Sequence, residues 1–147
     1  MENTPQNPYN SPATANTMAT SNGIYVKPTL IQALFSFQGR FSRTQFWINS
    51  LILTGAFVAL MIVVGIAGAI NPELAGIAAL LLGIPMYIVV IWASLAISVK
   101  RWHDRNKSGW WVLIGLIPIV GPIWAFIETG FLEGTSGDNQ FGPDPLS

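Results

Sequence analysis

The sequence predicts an all-α integral membrane protein, a bundle of about three transmembrane helices with a short N-terminal interfacial helix. Three observations carry that class. Charged residues are 10% of the 147, against roughly 25% in soluble domains, while apolar types reach 51% and mean hydropathy is +0.48. Such a chain cannot cover a soluble surface. Two uncharged runs, Phe46 to Ile70 and Leu74 to Val99, are each longer than a hydrocarbon core of about 30 Å at about 1.5 Å of rise per residue. Finally, the cations are gathered: Arg40 and Arg43 precede the first run, and Lys100, Arg101, Arg105 and Lys107 form a knot after the second.

Residues 1–28 are rich in Asn, Thr, Pro, Ser and Ala and hold almost no large aliphatics, so they are expected to be disordered. They lack the basic start and apolar centre of a signal peptide, which leaves the first membrane segment as the insertion signal. Pro28 to Phe37 is too short to span and reads as an interfacial helix or a segment packed on the bundle. Gly39 breaks it. Ser42 with Gln45 matches a capping box, Phe41 with Phe46 a hydrophobic staple, and a helix should start near Arg43. The first span is placed at about 44–70.

Asn71, Pro72 and Glu73 supply a turn and the next helix start. A second span follows at about 74–99, with Pro85 expected to kink it and to require a packed neighbour for the freed carbonyl. The third segment, about 110–131, contains IPIVGP (Ile117 to Pro122) and Glu128. It is expected to span, with a re-entrant hairpin as the alternative, because irregular backbone at depth needs burial against protein. The membrane domain is thus 29–132. Residues 133–147 are turn chemistry throughout and should form an irregular tail.

Small residues recur at spacing four: Gly55 and Ala59, Gly65 and Ala69, then Ala75, Ala79 and Gly83. Such spacing lets helices approach closely in lipid, and the last triple is the best candidate contact face.

The knot KRWHDRNKSGWW, Lys100 to Trp111, holds four of the seven cations and the only histidine. Membrane sorting explains most of it. Short basic loops stay cytoplasmic, so the Arg40/Arg43 end and loop 100–109 should lie inside with the N-terminus. Lys100 and Arg101 suit a helix C-terminus and can reach anionic phospholipid headgroups of the bilayer; Trp102, Trp110 and Trp111 suit an interfacial aromatic belt. Asp104 is what sorting leaves over. It should pair with Arg101 or Lys100 on its own helix, or with Arg40 or Arg43 across the bundle, as a structural clasp. The alternative is that Arg40, Arg43, Arg101, His103, Asp104 and Arg105 hold a phosphate or lipid headgroup.

One histidine and no cysteine leave no metal site and no thiol nucleophile, and no cofactor is expected. Ser108 near His103 in a loop is not a triad. Glu128, an ionisable group in an apolar segment, is either an interface marker or a functional group. Asp138, Asn139 and Asp144 do not match calcium-loop spacing. The net charge is zero and the cations are accounted for by the membrane, so no nucleic-acid partner is expected.

FQGRFSRTQFW, KRWHDRNKSGWW followed by LIPIVG, and EGTSGDNQFGPDP together resemble the three sequence blocks of the YhaH-like bacterial inner-membrane proteins, a family catalogued as domain of unknown function 805. The resemblance covers roughly residues 30 to 145. It implies a small multi-pass inner-membrane protein without an established activity. The matching positions are Gly39, Arg40, Arg43 and Trp47; Arg101, His103, Asp104, Ser108, Gly109, Trp110 and Trp111; and Gly137, Asp138, Asn139, Gly142, Pro143, Asp144 and Pro145. Two positions depart from the pattern: Trp102, where relatives usually carry an aliphatic residue, and Gln140, where many carry Arg.

The expected function is a non-enzymatic structural or interaction component, acting as a homo-oligomer or with a membrane-protein partner. A small transporter, channel or lipid-binding subunit using loop 101–105 and Glu128 is the alternative.

Overall fold

The computed structural model describes residues 26–146, apart from the side chain of Ala75. Residues 1–25 of the leader lie outside the described residues.

Helix α1, Leu30–Phe35, starts on a capping box: Gln32 N–H donates to Thr29 Oγ1 and Thr29 N–H to Gln32 Oε1. The same device opens α2, Arg43–Ile70, where Ser42 and Gln45 satisfy each other's backbone at 3.3 and 3.0 Å. Two orphan donors of the helix end are thereby paired without water. Asn71 ends α2, and its Oδ1 accepts from Glu73 N–H at 2.9 Å to begin the return.

The return is one helical rod, Pro72–Asp104, with an irregularity inside it. Helix α3, Pro72–Ala78, passes into a π-turn at Ala79–Gly83 before α4, Ile84–Asp104. Pro85 explains the π-turn: its ring crowds the carbonyl of Leu81, four residues back, and it has no N–H to give. Widening the turn relieves both, and Ile84 N–H reaches Ala79 O instead. The break is thus taken up by a local change of register, with α2 packed beside it.

Helices α2 and α4 run antiparallel, and only one end of the pair is sealed. Ala33, Phe41, Leu53, Ala93 and Ile97 form the apolar core there. Away from it, Leu51, Val63, Ile70 and Leu81 are exposed, as lipid-facing positions should be. Among the described small residues, Ala79 is exposed, and a Cβ on Gly55, Gly65 or Gly83 would find open space.

The third apolar segment does not form the single helix expected over about 110–131. A 3₁₀ helix, Gly109–Leu116, leads to a turn and then to α5, Val120–Gly130. The turn centres on Ile119, at φ 65° and ψ −61°, where Val120 N–H closes on Pro118 O at 2.8 Å. This is a γ-turn that a β-branched residue adopts at a cost of about 1–3 kcal/mol. Pro118 and Pro122 remove two donors that a turn away from water would otherwise have to satisfy. Gly121 lies so close to the 3₁₀ helix that a Cβ there would collide with the Ile114 carbonyl. The segment therefore folds back, and both its ends lie at the sealed end of α2 and α4, where Trp47 Nε1 donates to Gly130 O at 3.1 Å.

Candidate functional site

The sealed end is built around Asp104, the last residue of α4, 3% exposed. Arg40 Nε donates to its Oδ1 at 3.1 Å and Arg40 Nη2 lies 3.0 Å from the same oxygen. Arg101, one turn back on α4, donates through Nη1 to Oδ2. Of the four partners expected for Asp104, these are the two it takes. Burial pushes its carboxyl up, while Arg101 and Arg40 pull it down. Its backbone carbonyl, one of the four a helix end leaves unpaired, accepts from Thr135 N–H at 2.8 Å and Thr135 Oγ1 at 2.6 Å.

The guanidiniums are shared with the rest of the chain. Arg40 also donates to Gly137 O and Thr135 O, both at 2.6 Å, and to Gly142 O at 3.3 Å. Arg101, fully buried, donates to Thr129 O at 2.7 Å and to Leu132 O. Lys100 is equally buried: its Nζ donates to Gln32 O and Ala33 O at 2.8 and 2.6 Å and sits 4.7 Å above the Phe41 ring. Lys100 and Arg101 thus point inward, away from the headgroups that they were expected to reach. Trp102 is buried too, at 1% exposure, stacked on Trp111 with Lys107 Nζ 5.4 Å from its ring. It does not join an aromatic belt, whereas Trp110, 78% exposed, is free to.

A second cluster ties the hairpin to the loop. Glu128 Oε1 accepts from Arg105 Nε at 2.9 Å and from Lys107 Nζ, and its Oε2 accepts from Trp124 Nε1 at 3.2 Å. Only 6% exposed, it is a paired carboxylate that ties α5 to the loop after α4. Arg105 also reaches Glu133 O at 2.5 Å, and Arg43 pairs with the Glu133 carboxylate at 3.0 Å on the surface.

His103 faces the tail. Its Nδ1 lies 3.2 Å from Gly39 O, at a turn where Gly39 takes φ 88°, and its ring stacks on Phe141 with centroids 3.9 Å apart. Burial lowers it below the usual imidazole range, so the neutral ring donates from Nδ1 at neutral pH. The tail is a closed turn rather than a loose end. Asn139 and Gly142 exchange backbone bonds at 3.1 Å, Asn139 Nδ2 donates to His103 O at 2.9 Å, and Asp138 Oδ1 accepts from Asp144 N–H. Asp144 accepts from Leu146 N–H at 2.9 Å and Gly137 N–H at 2.8 Å, which hold its carboxyl below the usual range. Pro143 and Pro145 flank it. Ser108 caps the 3₁₀ helix that starts at Gly109, its side chain accepting from Trp110 N–H.

Three contributors were missed: Thr129, Thr135 and Gly134. Gly134 leaves room for the carboxylate, since a Cβ there would overlap Asp104. The signal for Thr135 lay in the unpaired carbonyls of the α4 end, which something nearby had to satisfy. Among the described residues, no three His, Asp or Glu side chains cluster as metal ligands.

The sequence pattern of a family described as "protein of unknown function (DUF805)" matches residues 34–143. The chain belongs to that family. It is 33% identical to the inner membrane protein YhaH of Escherichia coli K12 over 110 residues, covering 74% of this chain and 86% of YhaH. It is 30% identical to the inner membrane protein YhaI of the same strain over 118 residues, 80% of this chain and 92% of YhaI. The uncharacterized protein YiiR of that strain is 29% identical over 140 residues, 79% and 90% of the two chains. No solved structure matches. In this DUF805 member the three blocks that carry the family resemblance converge at the sealed end: Arg40 from the first, Arg101 and Asp104 from the second, and Gly137 and Gly142 from the third.

Proposed function

We propose that this chain is a two-span protein of the bacterial inner membrane, with loop 100–109 and the C-terminal tail together on the cytoplasmic side, and that it acts without catalysis as a packing or interaction component. Positive-inside sorting supports the orientation, and the names of YhaH and YhaI support the membrane. The observation that carries the reading is that the buried charges bond within the chain: Arg40, Lys100 and Arg101 donate to five segments of it. What such a chain offers outward is two apolar helices whose glycines are open to a second copy or a membrane-protein partner.

Glu128 separates this reading from a transporter or channel. In the packing reading, Glu128→Gln leaves Arg105 and Lys107 without their carboxylate and lowers stability by about 1–2 kcal/mol, less than a fully buried pair because both cations are partly exposed. Thermal unfolding in detergent and membrane protein level both report it. A transported ion's ligand gives the opposite result, a normal level and an unchanged unfolding temperature.

A further inference from the structure

Among the described residues, Lys27 is the one cation without a hydrogen bond or ion pair to protein; the other six are paired. It lines a cavity of about 240 Å³ between the residues around α1 and the first turns of α2. Leu30 contributes from the α1 side, and Gln45, Ile48, Asn49 and Ile52 from α2. Those four α2 positions fall at spacing 3, 4 and 7, on one helix face. They lie in the opening turns of the first span, where headgroups give way to acyl chains.

We propose that this groove holds an anionic phospholipid, its headgroup at Lys27 and the start of one acyl chain against Leu30, Ile48 and Ile52. Size and charge favour that occupant. The volume is below the roughly 300–1,000 Å³ that encloses a whole small ligand, so the groove fits part of a molecule whose remainder lies elsewhere, as a lipid's does in the bilayer. The unpaired ammonium complements a negative headgroup, and the aliphatic side chains complement a chain that a soluble anion lacks. Lipid contact is thereby moved from Lys100 and Arg101 of the knot, which face inward, to α1 and α2. The inference rests on the membrane placement proposed above, but not on the role of the buried charges.

The test uses the full chain in nanodiscs of phosphatidylcholine with a minor fraction of phosphatidylglycerol, and counts the lipids retained by native mass spectrometry. The wild type retains phosphatidylglycerol. Lys27→Gln lowers retention about fivefold, the factor one cation near an anionic surface supplies; its exposed side chain bonds to nothing, so folding is unaffected. Ile52→Trp fills the groove and lowers retention without changing charge. Arg43→Gln, which removes an exposed cation outside the groove, leaves retention as it was. Four outcomes overturn the proposal: unchanged retention in Lys27→Gln, an equal loss in Arg43→Gln, phosphatidylcholine held as well as phosphatidylglycerol, or release of the lipid by inorganic phosphate.

Discussion

Asp104→Asn lowers the stability of the folded protein by about 3 kcal/mol or more and depletes it from the membrane. The carboxylate sits between Arg40 and Arg101, side chains that are 1% and 0% exposed. Removing one partner from a buried ionic cluster costs about 3–5 kcal/mol, because the remaining charges lose compensation where water cannot supply it. An amide retains one acceptor oxygen, which places the loss at the lower end. Unfolding of the purified variant in detergent measures the stability, and a fluorescent fusion measures the amount in the membrane. If Asp104 were a ligand for a bound headgroup and nothing more, the variant would fold normally.

Gly121→Ala gives the second large effect, and its sign discriminates between two architectures. In the folded-back segment a Cβ at position 121 collides with the Ile114 carbonyl, and backbone cannot yield as a flexible side chain can. Overpacking of this kind costs about 1–3 kcal/mol, and the rigid neighbour puts the expected loss at the upper end. In a continuous helix over 110–131, the same substitution would instead stabilise by about 1 kcal/mol, the ordinary preference of a helix for Ala over Gly. Thermal unfolding of the purified variant beside wild type reads the sign directly.

These two residues also mark what the sequence made legible. Asp104 stood out because charge sorting had no use for it, and Arg101 at i−3 was within reach on any helix. The Ser42 and Gln45 box is equally local, and both features appear in the structure. What Arg40 does for the tail was not legible: it binds the carbonyls of Thr135, Gly137 and Gly142, and every residue has a carbonyl. Pro85 announced a break, but the π-turn at Ala79–Gly83 is a solution that sequence does not distinguish from a kink.

The hairpin was the harder case. IPIVGP was visible as an interruption, and the argument against a turn was the cost of irregular backbone at depth. That cost is reduced here by particular residues: two prolines have no N–H to leave unpaired, Gly121 lets the limbs touch, and Gly121 N–H finds Ile117 O at 3.0 Å. Trp102 and Lys100 were read as surface groups because residue type alone favours the interface. Lys100 is buried because α1 and Phe41 close over it, a long-range contact that no local window contains, and Trp102 because the chain after α4 turns back to lay Trp111 and Lys107 on its ring.

The central claim is that the loop and the tail meet at one face. Because the chain has no cysteine, a single Cys at Asn106 in one variant and at Ser136 in another can be probed with a membrane-impermeant maleimide, in intact and in permeabilised cells. Asn106 and Ser136 both resist labelling until the inner membrane is opened, if the segment between them folds back and the polar knot closes on the cytoplasmic side. Labelling of Ser136 alone in intact cells would place the tail across the membrane from Asp104 and contradict the account.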